Sequence, residues 1–93
     1  MNIQMNTVLL DGNDLDVSSA VVHVYQSGYL KVWEVLVSSA KSSQVAMDAT
    51  KFVGRGLDGT RYSGDVLVSS QIYNSDGTWD LKLKGSGPLA GYL

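Results

Sequence analysis

Apolar and polar residues alternate with a period of two over most of the chain, which is the pattern of β-strands. The first predicted strand covers residues 2–9, where Ile3, Met5 and Leu9 share one face. The second covers residues 17–26, which are dense in the β-branched and aromatic residues that favour extended backbone. A turn rich in Asp, Asn and Gly separates the two, so the N-terminal third is predicted to be β structure.

A third strand is predicted over residues 29–39, directly after the dipeptide Ser27-Gly28. Ser-Gly between two β runs predicts a hairpin. Trp33 lies on one face of this strand and Leu36 on the other, and both faces are largely apolar. We therefore expect this strand to be covered on both sides.

Residues 43–53 show a different spacing. Val45, Ala49 and Phe52 recur at the three- to four-residue interval of an amphipathic helix. Lys51 lies near the predicted end, where a cation interacts favourably with the helix dipole. In a strand, the same lysine would interrupt the apolar face. The pattern therefore favours a short helix over a strand.

The C-terminal third predicts a second hairpin. One strand covers residues 61–73, with Gly64 as the expected site of a β-bulge. Residues 74–77, Asn-Ser-Asp-Gly, have the composition of a hairpin turn with glycine in the left-handed conformation. Residues 78–84 then alternate between apolar and charged side chains, which indicates a strand with one buried and one solvated face.

These elements fit one domain over residues 1–93, because single cores typically span roughly 50 to 200 residues. The predicted fold is mainly β: an antiparallel β-sandwich or barrel of about six strands, with one short helix near residues 43–53. The predicted core consists of Trp33, Val35, Val37, Val66, Val68, Trp79, Leu81 and Leu83.

Composition narrows the classes of function. The chain has no cysteine, so disulfides are excluded and a zinc site would lack its usual thiolates. Seven basic and nine acidic residues give a net charge of −2 without a basic stripe, which argues against nucleic-acid binding. No stretch approaches the roughly 18 apolar residues of a membrane span, and the N-terminus does not resemble a signal peptide. We therefore expect neither nucleic acid nor membrane as a partner.

Candidate catalytic and metal-binding groups are sparse. His23 is the only histidine, and no cysteine or second histidine accompanies it, which favours a hydrogen-bonded structural role. The aspartates of residues 11–16 suggest a calcium loop, but Val22 stands where that motif needs an acid. A solvated turn is therefore the favoured interpretation.

Arg55 and Arg61 bracket a Gly-rich turn, where a contact to phosphate is one interpretation. Residues 54–59 also match the Gly-x-Gly-x-x-Gly spacing of dinucleotide-binding loops. Because this motif leads into a β run and not into a helix, a hairpin loop is favoured. We therefore expect no catalytic residue, no metal site and no cofactor, and predict that the chain is not an enzyme.

Residues 62–89 resemble the C-terminal hairpin of the tail-tube proteins of long-tailed bacteriophages. A Gly-led strand ends in small hydroxyl residues, and after a turn the second strand finishes in Gly-Ser-Gly-Pro-Leu over residues 85–89. The resemblance covers the last third of the chain. It implies a β-sandwich flanked by a helix, with subunits that close into rings and stack. The chain is shorter than is usual in this family, whose members often carry an extended loop.

The function expected from these features is that of a non-enzymatic structural or assembly protein of viral or phage origin. It would self-associate through β edges and apolar faces into a homo-oligomeric ring or stack, in the virion or in the host cytoplasm before assembly. The alternative is a small acidic interaction module or inhibitor, encoded by a phage or mobile element, that binds a host protein. The interface candidates are Tyr25, Tyr29, Leu89, Tyr92 and Leu93.

Overall fold

The computed structural model describes residues 1–28, 30–41, 48 and 50–91, which form seven β-strands. The strands are β1 (Asn2–Leu10), β2 (Asn13–Asp14), β3 (Ser19–Ser27), β4 (Leu30–Ala40), β5 (Lys51–Gly56), β6 (Arg61–Tyr73) and β7 (Trp79–Ala90). Among the described residues, none belongs to a helix long and apolar enough to cross a membrane.

Six of the strands close into an antiparallel barrel. Their order around it is β1-β3-β4-β7-β6-β5, and β5 pairs with β1 to complete the circle. The short strand β2 pairs with the end of β1. β1, β3 and β4 are successive neighbours and β5 returns beside β1, which is a Greek key. The prediction of an antiparallel sandwich or barrel of about six strands is thus confirmed, with the barrel as the form observed.

The predicted helix near residues 43–53 is not seen. Its last three residues, 51–53, belong to a strand. Lys51, Phe52 and Val53 begin β5, which bonds to β6 on one side and to β1 on the other. Phe52 points into the barrel and is only 1% exposed, whereas Lys51 points outward. The period of two therefore prevails here, and Lys51 marks the outer face. Residues 42–47 and 49, which supplied the helical spacing, lie outside the described residues.

The hydrophobic core fills the inside of the barrel. Seven of the eight predicted core residues are buried, and Trp79 is half-buried and packs against them. The same core includes the β1 residues Met5, Val8 and Leu10. A small barrel of this kind is filled by its own side chains, so a ligand or partner would be bound on its outer surface.

An irregularity in β1 changes which residues reach this core. Met5 pairs with Gly56 and Thr7 with Arg55, so Asn6 is an extra residue in β1. Beyond it the alternation is reversed, and Val8 is fully buried while Leu9 is only half-buried. Simple alternation, which put Leu9 on the face of Ile3 and Met5, missed this bulge.

Trp33 explains two glycines in neighbouring strands. A Cβ atom at Gly85 would lie 2.2 Å from the indole of Trp33, and one at Gly64 would lie 2.7 Å from it. The indole Nε1 donates a hydrogen bond to the carbonyl oxygen of Gly87 at 2.9 Å. The register between β6 and β7 shifts beside Gly64, from Ser63 opposite Ala90 to Asp65 opposite Ser86, so the extra residues lie in β7. Gly64 itself pairs regularly with Phe52, so the bulge predicted at Gly64 is wrong in its position. These glycines make room for one large buried ring.

The outer face of β4 is less covered than the sequence suggested. Trp33, Val35 and Val37 are buried on the inner face, but Leu36 on the outer face is 41% exposed. The expectation that both faces of this strand are covered is therefore wrong for the single chain. An outward leucine is left for solvent or for a partner.

Candidate functional site

The outer face of β4, β7 and β6 carries large apolar side chains among charged ones. Leu36 on β4 pairs with Lys82 on β7, and Leu67 on β6 pairs with Lys84 on β7. Leu67 is 62% exposed, and Ile72 further along β6 is 59% exposed. We call this set of residues, Leu36, Leu67 and Ile72 with Lys82 and Lys84, the outer barrel face.

The tip of the β6–β7 hairpin adjoins the outer barrel face but exposes the other side of β6, because Tyr73 pairs with Trp79, which packs against the core. Tyr73 is 63% exposed, and its ring contacts that of Trp79 with 4.9 Å between the centroids. Leu67 and Ile72 are exposed because they lie on the side of β6 opposite the buried Val66. The sequence held a signal for Leu67, since it alternates with Val66 and Val68. The sequence gives no such indication for Ile72, because the register shift between Val68 and Ser70 changes the alternation before Ile72 is reached.

Polar side chains hold this hairpin tip in place. Asp80 Oδ1 accepts hydrogen bonds from the backbone N–H of Ser39 at 3.0 Å and from Asn74 Nδ2 at 3.0 Å. The bond from Ser39, followed by that from Asn74, lowers the pKa of the Asp80 carboxyl. Asp76 accepts bonds from the hydroxyl and the backbone N–H of Thr78, and both lower its pKa. The exposed Tyr73 ring therefore lies beside a turn that is held by several hydrogen bonds.

A second surface feature is a groove of about 460 Å³ on the outside of β1, β3 and β4. His23 lies in it, with Nδ1 in a short hydrogen bond to Asn2 Oδ1 and its ring stacked on Tyr25 at 5.2 Å. Glu34 lies in the same groove, and its carboxylate is 3.7 Å from Lys82 Nζ. His23 is thus held by Asn2 and Tyr25, as expected of a structural histidine, and Tyr25 is 41% exposed.

The aspartate-rich turn after β1 uses its first carboxylate to organise the chain. Asp11 Oδ1 accepts hydrogen bonds from the backbone N–H groups of Thr50 at 3.1 Å and Lys51 at 2.8 Å. Asp14 Oδ1 accepts one from the backbone N–H of Asp16 at 2.9 Å. Within the described ranges, no three acidic, histidine or cysteine side chains are placed to hold a metal ion.

The Gly-rich segment around Arg55 is a β-hairpin. Gly54 and Gly56 lie in β5 and are buried, and Gly59 closes the turn at φ 87°. A strand, β6, follows at Arg61 where a nucleotide-binding loop would open a helix. The dinucleotide motif is therefore a coincidence of spacing, as the sequence indicated.

The predicted interface residues fall into three groups. Tyr25 is on the outer surface beside His23. Leu89 is 8% exposed and belongs to the hydrophobic core, because β7 continues to Ala90; this removes it from the exposed candidates. Tyr29, Tyr92 and Leu93 lie outside the described residues.

The segment that resembles phage tail-tube proteins forms β6 and β7. Its Gly-Ser-Gly-Pro-Leu ending, residues 85–89, lies inside β7, where Gly85 and Gly87 contact Trp33. Comparison with protein-family models, curated proteins and solved structures finds no match to the chain.

Proposed function

We propose that this chain is a non-enzymatic assembly protein of the phage tail-tube type, which associates with copies of itself through the outer barrel face and the adjoining hairpin tip. The exposure of Leu67, Ile72 and Tyr73 on a barrel whose interior is already filled is the observation that carries the proposal. In such an assembly the chain resides in the virion, and in the host cytoplasm before assembly.

Barrel closure determines how such association would work. Each of the six long strands has a strand partner on both sides, so its edges are largely used within the chain. The β-edge pairing expected from the sequence therefore contributes less than side-chain contacts to the proposed assembly.

The environment of His23 fits a non-enzymatic protein. The only imidazole of the chain is hydrogen-bonded to Asn2 and stacked on Tyr25, which supports a structural role for it.

The exposed side chains provide enough apolar area for concentration-dependent association. Fully burying one large apolar side chain contributes about 1.5–3 kcal/mol, so burying the exposed fractions of Leu67, Ile72 and Tyr73 contributes roughly 3–6 kcal/mol per copy. Association itself costs an estimated 4–15 kcal/mol. If both copies bury this surface, the free energy gained is close to the free-energy cost of association. The extent of association therefore depends on concentration and on further contacts.

Sedimentation velocity over a wide concentration range tests this proposal. The unmodified chain of 10.0 kDa is expected to form larger species, and Leu67→Ser/Ile72→Thr should weaken their formation at least tenfold. Leu57→Ser is the matched control, because Leu57 is 69% exposed but lies in the β5–β6 turn. Circular dichroism would verify that all variants are folded.

Two outcomes would overturn the proposal. If Leu67→Ser/Ile72→Thr associated as strongly as the unmodified chain, the outer barrel face would not be the contact. If the unmodified chain remained at 10.0 kDa at every concentration, self-association would be wrong, and the acidic module that binds a host protein would become the leading hypothesis.

A further inference from the structure

Arg55 and Arg61 are directly opposite each other in the β5–β6 hairpin. The backbone N–H of Gly56 donates to the oxygen of Thr60, and that of Val66 donates to the oxygen of Thr50. Because bonded pairs alternate along an antiparallel ladder, Arg55 and Arg61 occupy a non-hydrogen-bonded pair, where the Cβ atoms are about 4.5–5.5 Å apart. Both side chains are exposed on the same side of the sheet.

In the described part of the chain, neither guanidinium forms an ion pair. The ion pairs among these residues join Lys51 to Asp65 at 2.6 Å and Lys82 to Glu34 at 3.7 Å. The adjacent turn carboxylate, Asp58, accepts a hydrogen bond from the backbone N–H of Thr60. Like charges directly opposite across two strands destabilise a sheet. The two arginines thus form a cationic site, and the repulsion between them destabilises the isolated chain. An external anion would offset this repulsion.

The chemistry of the pair selects oxyanions, because a planar guanidinium donates paired hydrogen bonds to carboxylate or phosphate. A long polyanion such as nucleic acid is disfavoured, since the chain has a net charge of −2 and only seven basic residues. A protein surface that carries carboxylates would complement the charge of the two arginines and could reach them, because both are exposed.

The chain itself presents such a surface. Asp14, the last residue of β2, and Asp16, in the segment between β2 and β3, are both exposed. Among the described residues the Asp16 carboxylate has no ion pair, and Asp14 uses only its Oδ1 atom, for the backbone of Asp16. The backbone of Asp16 is in the left-handed region, at φ 49°. Two carboxylates on one copy therefore match two guanidinium groups on another in number and in charge.

We propose that Arg55 and Arg61 of one copy bind the carboxylates of Asp14 and Asp16 of a second copy. This inference rests on the proposed self-association and adds a second, polar contact between copies to the one through the outer barrel face. The surfaces that meet are unlike, so each copy can repeat the contact with a further copy. Contacts of this kind generate rings when the rotation closes.

Charge-neutralising variants and salt test the contact by sedimentation velocity. Arg55→Gln/Arg61→Gln should weaken association at least tenfold and reduce its salt dependence. Lys31→Gln/Lys51→Gln removes two positive charges at exposed positions outside both the outer barrel face and the arginine pair. It should retain the salt dependence and show less than a threefold change. Asp14→Asn/Asp16→Asn should act like the arginine variant, since Asn can accept the Asp16 N–H bond and tolerates a positive φ.

Combining the arginine and aspartate changes gives the decisive comparison. If the two pairs contact each other, the combined variant associates no more weakly than either alone, because each change removes the same interaction. Effects that multiply, or an aspartate variant equal to the unmodified chain, would overturn this contact while the proposed self-association stands. An unmodified chain that is monomeric at all concentrations would overturn both.

Discussion

Gly85→Ala tests the central packing interaction of the barrel. The added Cβ would lie 2.2 Å from Cε2 and 2.5 Å from Nε1 of Trp33, whereas carbon atoms pack favourably at about 3.5–4.0 Å. The indole would have to move by more than about 1 Å. Its 2.9 Å hydrogen bond to the oxygen of Gly87 would then be strained or lost.

The expected cost follows from these two effects. Overpacking a core typically costs about 1–3 kcal/mol, and leaving a buried donor unpaired costs about 1–3 kcal/mol more. We therefore expect Gly85→Ala to lower the free energy of unfolding by roughly 2–6 kcal/mol, a large part of the 5–15 kcal/mol typical of a folded domain. Gly87→Ala is the control, since a Cβ there meets no atom within 4 Å and only the φ of 87° is unfavourable.

A double-mutant cycle assigns the cost to the indole. In a Trp33→Met background, where a flexible side chain can yield, Gly85→Ala should cost less than about 1 kcal/mol. The cost of Gly87→Ala should be the same in both backgrounds. Urea unfolding followed by far-UV circular dichroism gives the four free energies. An equal cost of Gly85→Ala in both backgrounds would refute the proposed clash.

Two further predictions concern charged groups. The hydrogen bonds from Ser39 and Asn74 lower the pKa of the Asp80 carboxyl below that of an unfolded-chain aspartate. They therefore stabilise the fold above the unfolded-state pKa, and this stabilisation is lost as the pH falls through the lower folded-state pKa. The urea midpoint of the unmodified chain should fall over that acidic range, and that of Asp80→Asn should fall less. Arg61→Gln should raise the free energy of unfolding by about 0.2–1 kcal/mol at low salt, because it removes the like charge opposite Arg55, and thermal melts of the dilute monomer should show this gain vanish at high salt.

The period of two in the sequence was sufficient to predict most of the strands and the core. The turn at Ser27-Gly28 forms the predicted β3–β4 hairpin, with Gly28 at φ 62°. The turn over residues 74–77 likewise joins β6 to β7, with Gly77 at φ 87°. These are local signals, because a positive φ strongly favours glycine.

Long-range pairing explains what the sequence did not reveal. From the sequence alone, Lys51 argues against a strand because it would interrupt an apolar face. In the barrel it lies on the outer face, where it forms an ion pair with Asp65. Asn6 carries no local mark of a bulge, and its effect follows from the register of β1 against β5. Leu89 is buried because β7 extends past Pro88 to Ala90, which alternation ending at Lys84 did not foresee.

The candidate surface was predictable only in part. Tyr25 was identified from the sequence and is exposed. Leu67 and Ile72 were not identified, since an apolar residue on a strand is equally compatible with a core and with a contact surface. Arg55 and Arg61 were noted beside a turn, but only the strand register places them directly opposite each other.

Native mass spectrometry of the unmodified chain tests the proposed self-assembly most directly. The proposal predicts a discrete species whose mass is an integer multiple of 10.0 kDa, which grows with concentration and is depleted by Leu67→Ser/Ile72→Thr. A spectrum that contained only the 10.0 kDa monomer at every concentration and salt condition would contradict it.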